Sequence, residues 1–304
     1  MKTPILFLLF NRLDTTLQVF EQIRQQRPEQ LFVAADAPRT EVPGEAEKCA
    51  AVRDIIKKID WPCSLHTRFL DQHLGCKLGV SSAVDWFFSQ VEEGIILEDD
   101  CLPDPTFFPF CETLLEYYRD DIRVMHIGGG NFQFDRLRCH QYSYYFSQVP
   151  HIWGWASWRR AWQHYDVNCS SFFAQEIEPR LYADPYIDQN VKKVLEAACS
   201  GSLDTWDVQW QYAVVSRNGL AVLPDVNLIC NLGFAPDALH TTDVTSCYNR
   251  MKTIPMSFPL RHPSLIYPNY IADNYTYRLN MPPPRWLAQF HYYRKRIWRL
   301  LCFK

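Results

Sequence analysis

Gly94-Ile95-Ile96-Leu97-Glu98-Asp99-Asp100 is the stretch that decides how this chain is read. The apolar run Ile95 to Leu97 predicts a buried parallel strand, and it ends abruptly in three carboxylates. An open α/β sheet binds its ligands beyond the carboxyl ends of its strands. Three adjacent acids repel one another, so a cation belongs beside them. Hard divalent ions such as Mn²⁺ or Mg²⁺ take carboxylate oxygens and keep waters and substrate phosphates as their other ligands. The stretch therefore points to a metal–diphosphate site. The alternative is a solvated acidic turn after a core strand.

The flanking sequence repeats the strand–helix alternation. Ile5 to Phe10 predicts a short buried strand, and Asp14 an N-cap for a helix from Thr15 to about Gln25. Leu31 to Ala35 predicts a second strand ending in Asp36. An amphipathic helix is expected near Glu45 to Ile59 and a third strand at Ser64 to Leu70. Val80, Ala83, Val84, Phe87 and Phe88 share one face of a helix from Lys77 to Gln90. After the acids come a helix over Phe107 to Tyr118 and a strand at Arg123 to Ile127. Such alternation predicts an α/β fold with a right-handed, mostly parallel sheet covered on both faces. Tyr142 to Trp162 reads as aromatic and irregular, and the polar, Pro-rich chain after Gly233 as wrapping loops.

With 304 residues, 47% hydrophobic and 21% charged, the chain can bury a large core. A net charge of −3 does not indicate nucleic acid as a partner. The 10 Trp, 16 Tyr and 19 Phe exceed what a core alone needs, and suit sugar faces or membrane surfaces. The 11 cysteines are odd in number and none stand in a C-x-x-C spacing. They read as free thiols of a reducing cytoplasm, not as a zinc ribbon or disulfide framework. Asn168-Cys169-Ser170 and Asn274-Tyr275-Thr276 then match the glycosylation pattern by chance. The apolar run near Met1 is too short for a signal peptide, and no stretch is long enough to span a bilayer. There is no P-loop, no H-E-x-x-H and no G-x-S-x-G; Gly128-Gly129-Gly130 lacks the dinucleotide pattern and serves a close ligand approach or a turn.

Over residues 3 to 242 the chain resembles a glycosyltransferase of the GT-A fold. It is most similar to the N-acetylglucosaminyltransferase I type and related bacterial nucleotide-diphospho-sugar transferases. Glu98-Asp99-Asp100 matches that family's Glu-Asp-Asp motif, and the resemblance makes Asp100 the metal ligand and Asp99 and Glu98 donor contacts. Arg12 matches the loop whose Arg contacts the nucleotide, where planar permanent charge suits phosphate; a solvent-facing turn is the alternative. Asp36 resembles the acid that reads the uracil edge, or forms an Asx turn before Pro38. Gly75-Cys76-Lys77-Leu78 resembles the segment covering base and phosphates. Lys77 is poorly placed for a helix dipole unless an anion sits there, although a solvated lysine is simpler.

Asp204-Thr205-Trp206-Asp207 resembles the Trp-Asp segment that opens a helix and carries the catalytic base. The resemblance makes Asp207 the base, with Asp204 as the substitute; either acid can instead cap the helix. His240 matches a late His that completes the metal shell, and imidazole favours Mn²⁺. His151 to Trp158 resembles the Gly-Trp segment near donor and acceptor sugars. Trp155 is the contact carried over, with aromatic core as the alternative.

The implied activity is a metal-dependent, inverting glycosyl transfer from a nucleotide-diphosphate sugar, with UDP as nucleotide, to a carbohydrate or glycolipid acceptor. Bacterial surface glycan assembly is the expected setting. A nucleotidyltransferase acting on sugar phosphates and a non-catalytic sugar-binding domain remain the rivals. One domain is expected over 1–284. Unlike the eukaryotic enzyme, the chain is expected to lack an N-terminal anchor. Arg285 to Lys304 instead patterns as a basic amphipathic helix, which predicts a peripheral protein on the inner face of the cell membrane. A helix docked on the core or in a dimer is the alternative.

Overall fold

A computed structural model of the chain describes residues 1–134, 136–139, 141–174, 181–234, 243 and 245–281. The first half runs β1 (Ile5–Leu9), α1 (Leu13–Gln26), β2 (Gln30–Ala35), α2 (Glu45–Arg53), β3 (Ser64–Phe69), α3 (Gly75–Gln90), β4 (Glu93–Glu98), β5 (Cys101–Pro103), α4 (Phe107–Tyr117) and β6 (Val124–Gly128). There follow β7 (Tyr144–Ser147), β8 (Trp155–Trp158), the short α5 (Arg159–Trp162) and α6 (Ser170–Phe173), α7 (Pro185–Cys199), α8 (Asp207–Ser216), β9 (Leu220–Pro224), β10 (Ile229–Asn231) and α9 (Tyr270–Asn280).

The fold is α/β, built on an eight-stranded sheet of order β3-β2-β1-β4-β8-β6-β9-β7. β3, β2, β1, β4, β6 and β9 run one way; β8 and β7 run against them. Alternate residues of the central strands feed two cores. Ile5, Phe7 and Leu9 of β1 pack with Val19, Phe20 and Ile23 of α1 and the buried face of α4. Leu6 and Leu8 pack on the other face, with Ala83, Val84, Phe87 and Phe88 of α3 and Trp210 of α8. Each such side chain contributes about 1.5–3 kcal/mol on burial, which fixes strand register and so the position of every strand end.

Several boundaries differ from expectation. Asp14 is not the cap of α1: the helix begins at Leu13, because Thr16 already donates its N–H to Arg12 O. Asp14 instead lies in the first turn, where its charge still favours the dipole. The expected long helix after Glu45 breaks at Arg53 into a 3₁₀ turn, Asp54–Lys58. The aromatic middle is not irregular, since it supplies β7 and β8. The Pro-rich end contains α9, capped by the Asn269 side chain on Ala272 N–H.

Gly128-Gly129-Gly130 is a packing turn. A Cβ on Gly129 would strike Phe107 and Ile229, and none of the three glycines lines the cleft described below.

Candidate active site

The carboxyl ends of β1, β2 and β4 open into one cleft of about 850 Å³. Its floor comes from Phe10, Asn11 and Arg12 after β1, from Asp36 after β2, and from Glu98, Asp99 and Asp100 at the end of β4. Facing them are the amino end of α3, Ile152 and Trp153 before β8, and Asp204 to Asp207 at the start of α8. Residues far apart in sequence thus meet where the parallel register brings strand ends level: Leu8 of β1 lies opposite Glu98 of β4.

Burial, compounded by the neighbouring carboxylates, holds Glu98 well above the ordinary carboxylate range. Asp99 and Asp100 are also raised, chiefly by burial. Two donors oppose this. Phe10 N–H reaches Asp99 Oδ2 at 3.0 Å, and Arg12 Nη1 reaches Asp100 Oδ2 at 3.0 Å. The triad is therefore short of positive charge, and its carboxylate oxygens are of the hard type that divalent ions take. Among the described residues no group of three or more His, Cys, Asp or Glu side chains is placed to hold a metal ion.

A two-stranded ribbon roofs this triad. β10 pairs antiparallel with β5, setting Asn231 opposite Cys101, and Leu232 N–H donates to Asp100 O at 2.8 Å. Gly233 follows so closely that a Cβ would overlap Asp100 Oδ2 and lie 2.9 Å from Arg12 Nη1. His240 lies outside the described residues.

The carried-over residues divide by side-chain direction. Arg12, Asp36, Glu98, Asp99, Asp100 and Asp207 line the cleft. Asp207 opens α8 and accepts a hydrogen bond from Thr205 Oγ1.

Asp204 does not serve α8. Its carboxylate accepts Cys76 N–H and Lys77 N–H, both at 2.9 Å, and so caps α3. Gly75 permits this approach: its φ is +77°, and a Cβ there would lie 2.7 Å from Asp204 Oδ2.

Asp36 accepts Leu74 N–H and Gly75 N–H, each at 3.0 Å from one oxygen, with His73 Nδ1 3.0 Å away. Lys77 turns from the cleft. Its Nζ donates to Ala198 O at 2.8 Å, where a cation satisfies the carbonyl end of α7.

Trp155 is only 1% exposed and stacks on Trp206 and His126 in the core. It is Trp153, two residues earlier, that faces the cleft, held edge-on by Phe132, Phe234 and Tyr248. β8 explains the difference: Trp155 is its first residue and is packed between layers, whereas Trp153 precedes it.

The sequence reading missed a second group. Glu45, 2% exposed, accepts Arg39 through its N–H, Nε and Nη2, and Asn11 Nδ2 at 2.8 Å. The Arg39 hydrogen bonds outweigh burial and lower its carboxyl to about 2. The signal available was an Arg in the loop after Asp36 and a Glu just beyond Gly44, where a helix starts.

No protein-family model matches the sequence, and no curated protein matches it. Among solved structures the chain is similar to S. aureus TarS 1-349, with a TM-score of 0.41, 8% identity, and coverage of 75% of this chain and 60% of that one. It thus spans 60% of the TarS fragment's length. It is also similar to the mannosyltransferase PcManGT from Pyrobaculum calidifontis in complex with GDP-Man and Mn²⁺ (TM-score 0.40, 13% identity, 71% and 70% covered). A third is apo-UDP-glucose pyrophosphorylase (0.39, 9%, 76% and 93%). At such identities and TM-scores the likeness carries no argument about what this chain does.

Proposed function

We propose that the chain is a metal-dependent, inverting glycosyltransferase of GT-A type that moves a sugar from a UDP-sugar to a carbohydrate or glycolipid acceptor at the inner face of a bacterial membrane. One observation carries the reading: Arg12, the Glu98–Asp100 triad and Asp207 converge on a single cleft at the carboxyl ends of parallel strands. Glu98 is within electrostatic reach of Asp207, so acids from the two halves of the chain share one site.

In this reading Arg12 offers its guanidinium to the donor diphosphate, and Asp100 holds the Mn²⁺ or Mg²⁺ ion, with His240 as its partner ligand. The ion supplies electrostatic neutralisation of the departing diphosphate. Asp207 takes the proton of the acceptor hydroxyl as that oxygen attacks the anomeric carbon, opposite the nucleotide. Thr205 fixes the orientation of the Asp207 carboxylate. Trp153, not Trp155, offers a ring face to a sugar. Asp36, together with His73, lies at the nucleotide end.

The test is thermal unfolding with UDP, with and without Mn²⁺. A ligand at 100 times its dissociation constant adds about 2.7 kcal/mol to the folded state. Stabilisation by UDP should require the metal and vanish in Asp100→Ala. Equal UDP shifts in EDTA and in Mn²⁺ would remove the metal assignment.

A further inference from the structure

Behind the cleft, two thiols from different elements meet. Cys199 ends α7, and Cys169 immediately precedes α6. Both pack in one cluster with Leu195 and Tyr212, close enough that each thiol shifts the other's titration. Cys169 is fully buried, while Cys199 is partly exposed to solvent. The two therefore differ as a reactive pair must: one is reachable, the other waits behind it.

Lys77 completes the arrangement. Its ammonium, anchored on Ala198 O, lies beside Cys199 and offsets the negative end of α7. The neighbouring Cys169 thiol, with Lys77 adding to it, lowers the Cys199 thiol from its ordinary value. The same contact, with burial, raises Cys169. A thiolate beside lysine is the nucleophile in disulfide exchange.

We propose that Cys169 and Cys199 form a reversible disulfide, with a low-molecular-weight disulfide such as oxidised glutathione as oxidant. The Cys199 thiolate attacks one sulfur of the small disulfide and expels the other as a thiolate. This leaves a mixed disulfide on Cys199. Cys169 then attacks Cys199 Sγ, and its proton passes to the second small thiolate as that leaves. Two protein thiols are oxidised, one small disulfide is reduced to two thiols, and the protein sulfurs draw together to the ~2.05 Å of a covalent bond.

The bond has a mechanical consequence. The turn at Ala197 accepts Leu203 N–H and Ser202 Oγ, both at 3.0 Å, immediately before Asp204 and Asp207. Pinning Cys199 to Cys169 thus fixes the root of the segment that carries Asp207.

The experiment takes the full chain, without denaturant, through a series of oxidised-to-reduced glutathione ratios, with alkylation and peptide mapping. Its readout is mass, so it stands or falls independently of the proposed activity. The expected result is a linked Cys169–Cys199 peptide lighter by two hydrogen atoms and reversed by dithiothreitol. Cys169→Ser should stop at glutathione on Cys199, and Cys199→Ser should give neither product. The exposed Cys247 serves as an internal control. Glutathione on Cys247 while Cys199 stays reduced, a linked pair that excludes either residue, or linkage seen only in urea would overturn the proposal.

Discussion

At the scale of single residues, Asp207 separates chemistry from folding. It stands in the first turn of α8, where a negative side chain is favourable and an Asn is well tolerated. Asp207→Asn should therefore leave the fold and UDP binding intact while cutting glycosyl transfer by about two or more orders of magnitude, the range of a general base. Near-normal turnover in a transfer assay would take the base away from Asp207. Gly233 is the converse case, a residue without chemistry that sets the geometry of one that has it. In Gly233→Ala the new methyl must displace Asp100 or Arg12. The expected cost is about 1–3 kcal/mol of overpacking, with a higher Mn²⁺ half-saturation in thermal-shift titrations; an unchanged titration would mean that the ribbon does not set the Asp100 position. The acids and Arg12 were legible in the sequence because each directly follows a buried strand or opens a helix. Lys77, Asp204 and Trp155 were not, because sequence gives a position along an element and not the direction of its side chain. A helix end from a distant segment claims both Lys77 and Asp204, and the tryptophan stack claims Trp155.

At the scale of elements, the loop between β2 and α2 is held to the cleft by the Arg39–Glu45 pair. The Glu45 carboxyl is lowered in the folded chain from 4.5 to about 2. Its contribution is therefore fully present above the unfolded value and is lost as pH falls from about 4.5 towards 2. Comparing melting midpoints of the native chain and Arg39→Met across pH should show a gap that is widest above pH 5 and narrows on acidification. A gap that stayed constant with pH would show that Arg39 acts by packing alone. Among the elements, the strongly periodic α3 and the continuous apolar strands were readable. β7 and β8 were hidden because their residues, such as Trp155-Ala156-Ser157-Trp158, are buried on both faces and show no alternation. α9 was hidden because its exposed Tyr270 and Ile271 blur the apolar stripe that buries Ala272 and Tyr277.

At the scale of the whole molecule, the described residues contain no helix long and apolar enough to cross a membrane. The basic amphipathic segment at the chain end lies outside them. Each Lys or Arg near an anionic surface contributes about 1 kcal/mol, so Arg285, Lys295, Arg296 and Arg299 would together suffice for salt-sensitive attachment if the segment meets a membrane. Full-length protein should float with anionic liposomes at low salt, and a chain lacking Arg285 to Lys304 should remain folded and stay behind. Failure of the full chain to float would leave the segment as a docking element. The sheet order carries a consequence for synthesis. β8 enters between β4 and β6 from a position more than fifty residues downstream of β4. While the ribosome is still making that stretch, the nascent β3-β2-β1-β4 unit presents an open edge beside Ile95-Ile96-Leu97. Unpaired, apolar edges recruit foreign strands. The strand that ends in Glu98-Asp99-Asp100 thus keeps an edge open to misassembly during translation, until β8 arrives to close it.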